Sequence, residues 1–166
     1  VLQIGSLTTN KLMGILLGTG GVPETVAALA AEQSMVLPAI AAQQVIAQNV
    51  SADLLEHSKA TKYPIVCIYC SKIANVLREK FRTFSGDADM VIEARISQDR
   101  LDDLGTNVQL YTDAITQVLD SNRGDWGDGV FYSGGYEVTF GGVKQGGLNF
   151  IQIAKVSFTV DISADC

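Results

Sequence analysis

Charge is scarce in this sequence, and positive charge is scarcest. Only 18% of residues are charged; Lys and Arg number 12 against 18 Asp and Glu, for a net charge of −6 and a pI near 4.6. That balance excludes nucleic-acid binding by counterion release, which needs clustered Lys and Arg. There is one histidine, His57, so a multi-histidine metal site is excluded. The three cysteines, Cys67, Cys70 and Cys166, cannot all pair within one chain, and a reducing compartment is the simpler expectation. The most apolar N-terminal run, Leu12 to Leu17, is far shorter than the roughly 20 residues a bilayer requires. No cleavage pattern follows it, so neither a signal peptide nor a membrane span is expected. Aromatic residues are missing from positions 1–62 altogether.

What is present is enough for a folded domain. The chain has 166 residues, and 47% of them are hydrophobic. A core can form at that size without disulfides or metals. The compositional break suggests two stretches: a helical N-terminal extension over 1–62, serving as an interaction segment, and an α+β core over 63–166.

In the first stretch, Thr8–Leu17 reads as a short helix stopped by Gly18 and Gly20-Gly21. Pro23, with Glu24 beside it, marks the first turn of a second helix over 23–34. Pro38 breaks the pattern, 39–50 fits neither period, and Ser51 is a candidate cap for a turn running to Glu56. Tyr63–Cys70 is a continuous apolar run and predicts a strand buried on both faces. Ile73, Val76, Leu77, Phe81 and Phe84 recur at helical spacing, which predicts a helix within 71–84, followed by a turn at Ser85-Gly86-Asp87. Met90, Ile92, Ala94 and Ile96 alternate with Val91, Glu93, Arg95 and Ser97 as a half-buried strand. Asp99 is a candidate N-cap for a helix carrying Leu101, Leu104, Val108, Tyr111, Ile115 and Val118 on one stripe. That helix should end near Asn122.

A long hairpin closes the chain, with strands over 130–140, interrupted at Gly134-Gly135, and over 148–162. Fifteen residues of strand extend roughly 50 Å, whereas a domain of this size is only about 40 Å across. The hairpin must therefore bend or project. The expected fold is α+β, a mostly antiparallel sheet with a long C-terminal β-hairpin and helices on one face, plus a helical N-terminal segment.

Candidate chemistry is thin. Cys67-Ile68-Tyr69-Cys70 has thiol-redox spacing, but on a strand residues three apart face opposite ways. Gly18-Thr19-Gly20-Gly21 lacks the Gly-Lys-Ser/Thr ending of a phosphate loop. The run from Asp120 to Asp128 resembles a calcium loop only superficially, since Asp125 stands where Gly is needed and Phe131 where Glu is needed. No catalytic, cofactor-binding or metal-ligating residue is expected.

Interaction features are clearer. Trp126 sits on a Gly-rich loop, where it either packs beneath the loop or enters a partner. Lys59, Lys62, Lys72, Arg78, Lys80 and Arg82 place half of all basic residues within 24 positions. The stretch 87–128, including Asp102 and Asp103, holds ten acids against three bases. Ordinary solvated faces would account for this. The sharper reading is a bipolar subunit whose basic face meets the acidic face of the next copy.

Particular motifs add to this reading. The run from Lys62 to Tyr69, then Asn75, Lys80–Gly86, Tyr111–Ile115, Gly135–Val138 and Lys144–Phe150 resemble phage tail-terminator (tail-completion) proteins over about residues 60–162. The resemblance implies a non-enzymatic α+β subunit of the virion neck, assembled in the host cytoplasm. It also implies a homo-oligomeric ring, expected to be a hexamer, that ends the tail tube protein and docks to the head-side connector or stopper. DNA would pass through the lumen without tight binding, past an acidic wall that repels phosphate. Alternatives are another neck component (a stopper or completion protein), a small thiol oxidoreductase using Cys67 and Cys70, and a small binding domain built on Trp126 and the glycine-rich loops.

Overall fold

The structure, a computed structural model, describes residues 3–48, 63–146 and 148–165. The helical lead begins as α1 (Ile4–Leu17), which buries Ile4, Thr8, Leu12 and Leu16, four residues apart along one face. The chain reverses over Gly18–Gly21, where Gly20 takes φ +70 and its N–H donates to Glu24 Oε2 at 2.8 Å. With Pro23 in its first turn, α2 (Val22–Glu32) then buries Val22, Val26 and Leu29. By composition 4–32 is apolar enough for a membrane span, with mean hydropathy 1.4. It is nonetheless built as two helices of 14 and 11 residues. Each is shorter than the roughly 20 residues a bilayer requires.

Among the described residues one sheet contains all the strands: β1 (Val45–Ile46), β2 (Ile65–Asn75), β3 (Phe84–Gln98), β4 (Gly124–Gly127), β5 (Val130–Tyr132), β6 (Glu137–Phe140), β7 (Lys144–Gly146) and β8 (Asn149–Ala164). Its order is β1-β2-β3-β8-β5-β4, with β6 and β7 also on β8; every pairing is antiparallel except β1–β2. The central pair β3–β8 is in register from Phe84↔Ala164 to Gln98↔Phe150, a ribbon about 50 Å long. Ala88, Met90, Ile92, Ala94 and Ile96 share one face with Ala154, Val156, Phe158, Val160 and Ile162, all buried or nearly so. Against that face lie α1, over β2 and β3, and α3 (Leu104–Ser121), over β3 and β8, while α2 packs on α3. The fold is α+β, as the sequence predicts.

The described part of 1–62 is not a separate appendage. Leu12, Leu16, Val22, Val26, Ile40 and Val45 belong to the same core as the sheet and α3. The candidate cap at Ser51 and its turn to Glu56 lie outside the described residues.

Three local expectations are corrected. Residues 71–84 are not a helix: β2 continues to Asn75, and 76–83 form the β2–β3 loop. Ser85-Gly86-Asp87 is not a turn but part of β3. A Cβ on Gly86 would stand 1.9 Å from the Ala74 carbonyl oxygen, so glycine there permits close strand approach, not reversal. The helix after β3 starts at Leu104, and its N-cap is Asp103 at φ +61 instead of Asp99. Leu101 consequently falls outside the buried stripe and is exposed.

Candidate functional site

On the sheet face opposite the helices, Glu93 and Arg95 are neighbours on one strand, and their side chains are only 5% and 4% exposed. Arg95 Nη2 and Nε donate to Glu93 Oε2 at 2.6 and 3.1 Å. The Tyr69 hydroxyl donates to Glu93 Oε1 at 2.7 Å, and Lys155 Nζ approaches the same oxygen at 3.4 Å. Burial by itself would raise the Glu93 carboxyl; the Arg95 and Tyr69 hydrogen bonds and the Arg95 and Lys155 charges more than offset it and hold the group below its ordinary value. Burial and the bond to Glu93 push Tyr69 up to about 12. The Glu93 carboxylate is thus held charged and the Tyr69 phenol held neutral near neutral pH, which suits structure better than proton transfer. Sequence reasoning placed Glu93 and Arg95 on a solvated face and did not find the network; the opposite charges two apart on one strand were the only signal.

The two cysteines of the redox-like spacing face opposite sides of β2. Cys67 is buried beside Glu93 and Arg95, and Cys70 lies toward α1, with its Cβ 4.0 Å from the position a Gly5 Cβ would take. Burial raises both thiols above their ordinary value, the reverse of an activated nucleophile. Among the described residues, no group of three His, Cys, Asp or Glu is placed to hold a metal ion. His57 lies outside them.

The β2–β3 loop is held closely and yet displays apolar side chains. Asn75 Oδ1 accepts from the N–H groups of Leu77 and Ser85 at 3.3 and 3.1 Å, and its Nδ2 donates to the Thr83 carbonyl at 3.1 Å. Arg78 bridges Asp87 at 2.6 Å and Asp161 at 2.9 Å, and Arg82 reaches Glu79 at 3.3 Å and also Asp165. Inside this frame Leu77 takes φ +49, a conformation unfavourable for a branched side chain. Val76 and Leu77 are more than half exposed, and Phe81 is 97% exposed. At the other end of the ribbon, Leu101 and Leu148 lie beyond Gln98 and Phe150 and are exposed, Leu148 at 95%, and Val143, just before β7 on the edge of β8, is exposed too. The helical spacing of Val76, Leu77 and Phe81 concealed their exposure from sequence reasoning.

The sequence-predicted contact residues divide. Arg78, Lys80 and Arg82 gather at the β2–β3 loop, and Asp102 and Asp103 stand at the opposite end of β3. Arg78 and Arg82 already hold carboxylates of the same chain. Trp126 stands on β4 instead of a loop and packs inward: its ring centroid lies 5.5 Å from Tyr132 and 6.2 Å from Phe158, and its Nε1 donates to the Asn122 carbonyl at 2.7 Å. Lys59 and Lys62 lie outside the described residues. The chain matches no protein-family model, no curated protein and no solved structure with which it was compared.

Proposed function

We propose that this chain is a non-enzymatic structural subunit that assembles into a ring, ends the tail tube of a tailed phage and joins it to the head-side connector. The observation that carries the reading is the exposure of apolar side chains at both ends of one long ribbon, Val76, Leu77 and Phe81 at the braced loop and Leu101, Val143 and Leu148 near the other end. Exposing such side chains to water is costly, and their grouping at the ends of the ribbon supports the reading that protein covers these surfaces. The motif resemblance over residues 60–162 supplies the identity of the assembly. The charge pattern supports passage of DNA through the ring: Asp89, Asp99, Asp102, Asp103, Asp113 and Asp125 form no ion pair among the described residues. A lumen carrying such groups repels phosphate and lets the genome move. The test is assembly of particles lacking the chain. Tails of uncontrolled length, detached from filled heads and rescued by adding the purified protein, are expected. Normal joined particles without it would refute the reading.

A further inference from the structure

We propose that the ring closes by a head-to-tail junction in which the β2–β3 loop of one copy packs its Val76, Leu77 and Phe81 against Leu101, Val143 and Leu148 of the next. The inference rests on the ring reading and names the surfaces that make it. The occupant of each cluster is a second copy of this chain, for two reasons.

The first is placement. The clusters sit at opposite ends of the β3–β8 ribbon, so no copy can cover its own loop with its own far end. A two-fold contact of loop on loop would leave the far end bare, and one that sets each loop on the other copy's far end would stop at two copies. Loop on far end covers both and repeats from copy to copy, closing when the rotation permits.

The second is charge. Arg78 and Arg82 are held by carboxylates of their own chain, whereas Lys80 forms no ion pair among the described residues. At the far end Asp99, Asp102 and Asp103 form none either, against the two bases Arg100 and Lys144. The loop therefore offers an unspent cation beside its apolar residues, and the far end offers an excess of unspent carboxylates beside its own. Lys80 meets Asp102 and Asp103 across the junction. The ribbon also sets the scale: with six copies each spanning about 50 Å, opposite junctions lie at most about 100 Å apart.

The experiment uses the full chain, with Phe81→Asp and Leu148→Asp made separately. Both side chains are almost fully exposed, so circular dichroism and the melting temperature should stay as in wild type. Light scattering should show wild type assembling and each variant monomeric at ten times the concentration that assembles wild type. Mixed one to one, each variant still has one good end. A two-copy complex and nothing larger is expected. Lys80→Glu should weaken assembly at least tenfold, and Asp102→Lys with Asp103→Lys on all copies should restore it. Variants that still form rings would overturn this junction and leave the ring reading standing. A Leu148→Asp variant that dimerises unmixed while Phe81→Asp stays monomeric would mean a two-fold contact of loop on loop and overturn it as well. A wild type monomeric at every concentration would also overturn the junction, and the ring would then be judged on the virion itself.

Discussion

Arg95 holds together the buried network on the sheet face opposite the helices. Its guanidinium makes two hydrogen bonds to a carboxylate that is almost fully buried. Arg95→Leu strands Glu93 in a dry site, and a loss of about 3–5 kcal/mol in urea unfolding is expected. The pH dependence follows from the same pair. The folded-state pKa of Glu93 lies below its unfolded value, so its contribution is complete above the unfolded carboxyl range, about 4.3. It is lost as pH falls through the lower, folded value. Stability of the wild type should decline on acidification across that window, and Glu93→Gln should remove that share of the decline while lowering stability at neutral pH. The cysteines have no such role. Replacing Cys67 and Cys70 together by Ala should cost on the order of 1 kcal/mol per site in thermal melts and leave assembly intact. A disulfide reductase activity in wild type that vanishes in the double variant would restore the redox reading.

The elements with strong periods are those the sequence made legible. In α3 the positions Leu104, Val108, Tyr111, Ile115 and Val118 are buried as their spacing requires, and in β8 the alternation from Ala154 to Ile162 sets the core face. The β2–β3 region was not legible, for a physical reason. Period analysis assumes that apolar residues seek the core, and Val76, Leu77 and Phe81 do not. Gly86 compounded the error, because a glycine needed for close strand approach looks the same in sequence as one needed for a turn. Gly86→Ala is accordingly expected to pry β2 from β3, with a loss of several kcal/mol and weaker amide protection along Ile65–Asn75. A change under about 0.5 kcal/mol would mean that the two strands part easily. Of the candidate site, sequence alone located the charges at both ends of β3 but not the apolar clusters beside them. The buried Glu93–Arg95 pair was invisible because nothing in a local alternation tells which polar face is covered.

At the scale of the whole molecule, the surfaces set what the chain can join. A core shared by both halves of the chain supports a long ribbon with exposed apolar residues at each end, and the acids without ion pairs outnumber the free bases among the described residues. That surface should not hold DNA. Fluorescence anisotropy with a labelled duplex at low salt should show no binding tighter than micromolar by the assembled protein. Tight binding that weakens steeply with salt would mean that Lys72, Lys80 and their neighbours face the DNA path, so that the two faces are inverted. The most direct measurement is electron microscopy of the head-to-tail junction in intact particles, with this chain labelled at its exposed Leu148 hairpin. A closed ring of copies, six in number and no wider than about 100 Å between opposite junctions, is the expected result. A single isolated copy at that position, or none, would contradict the account.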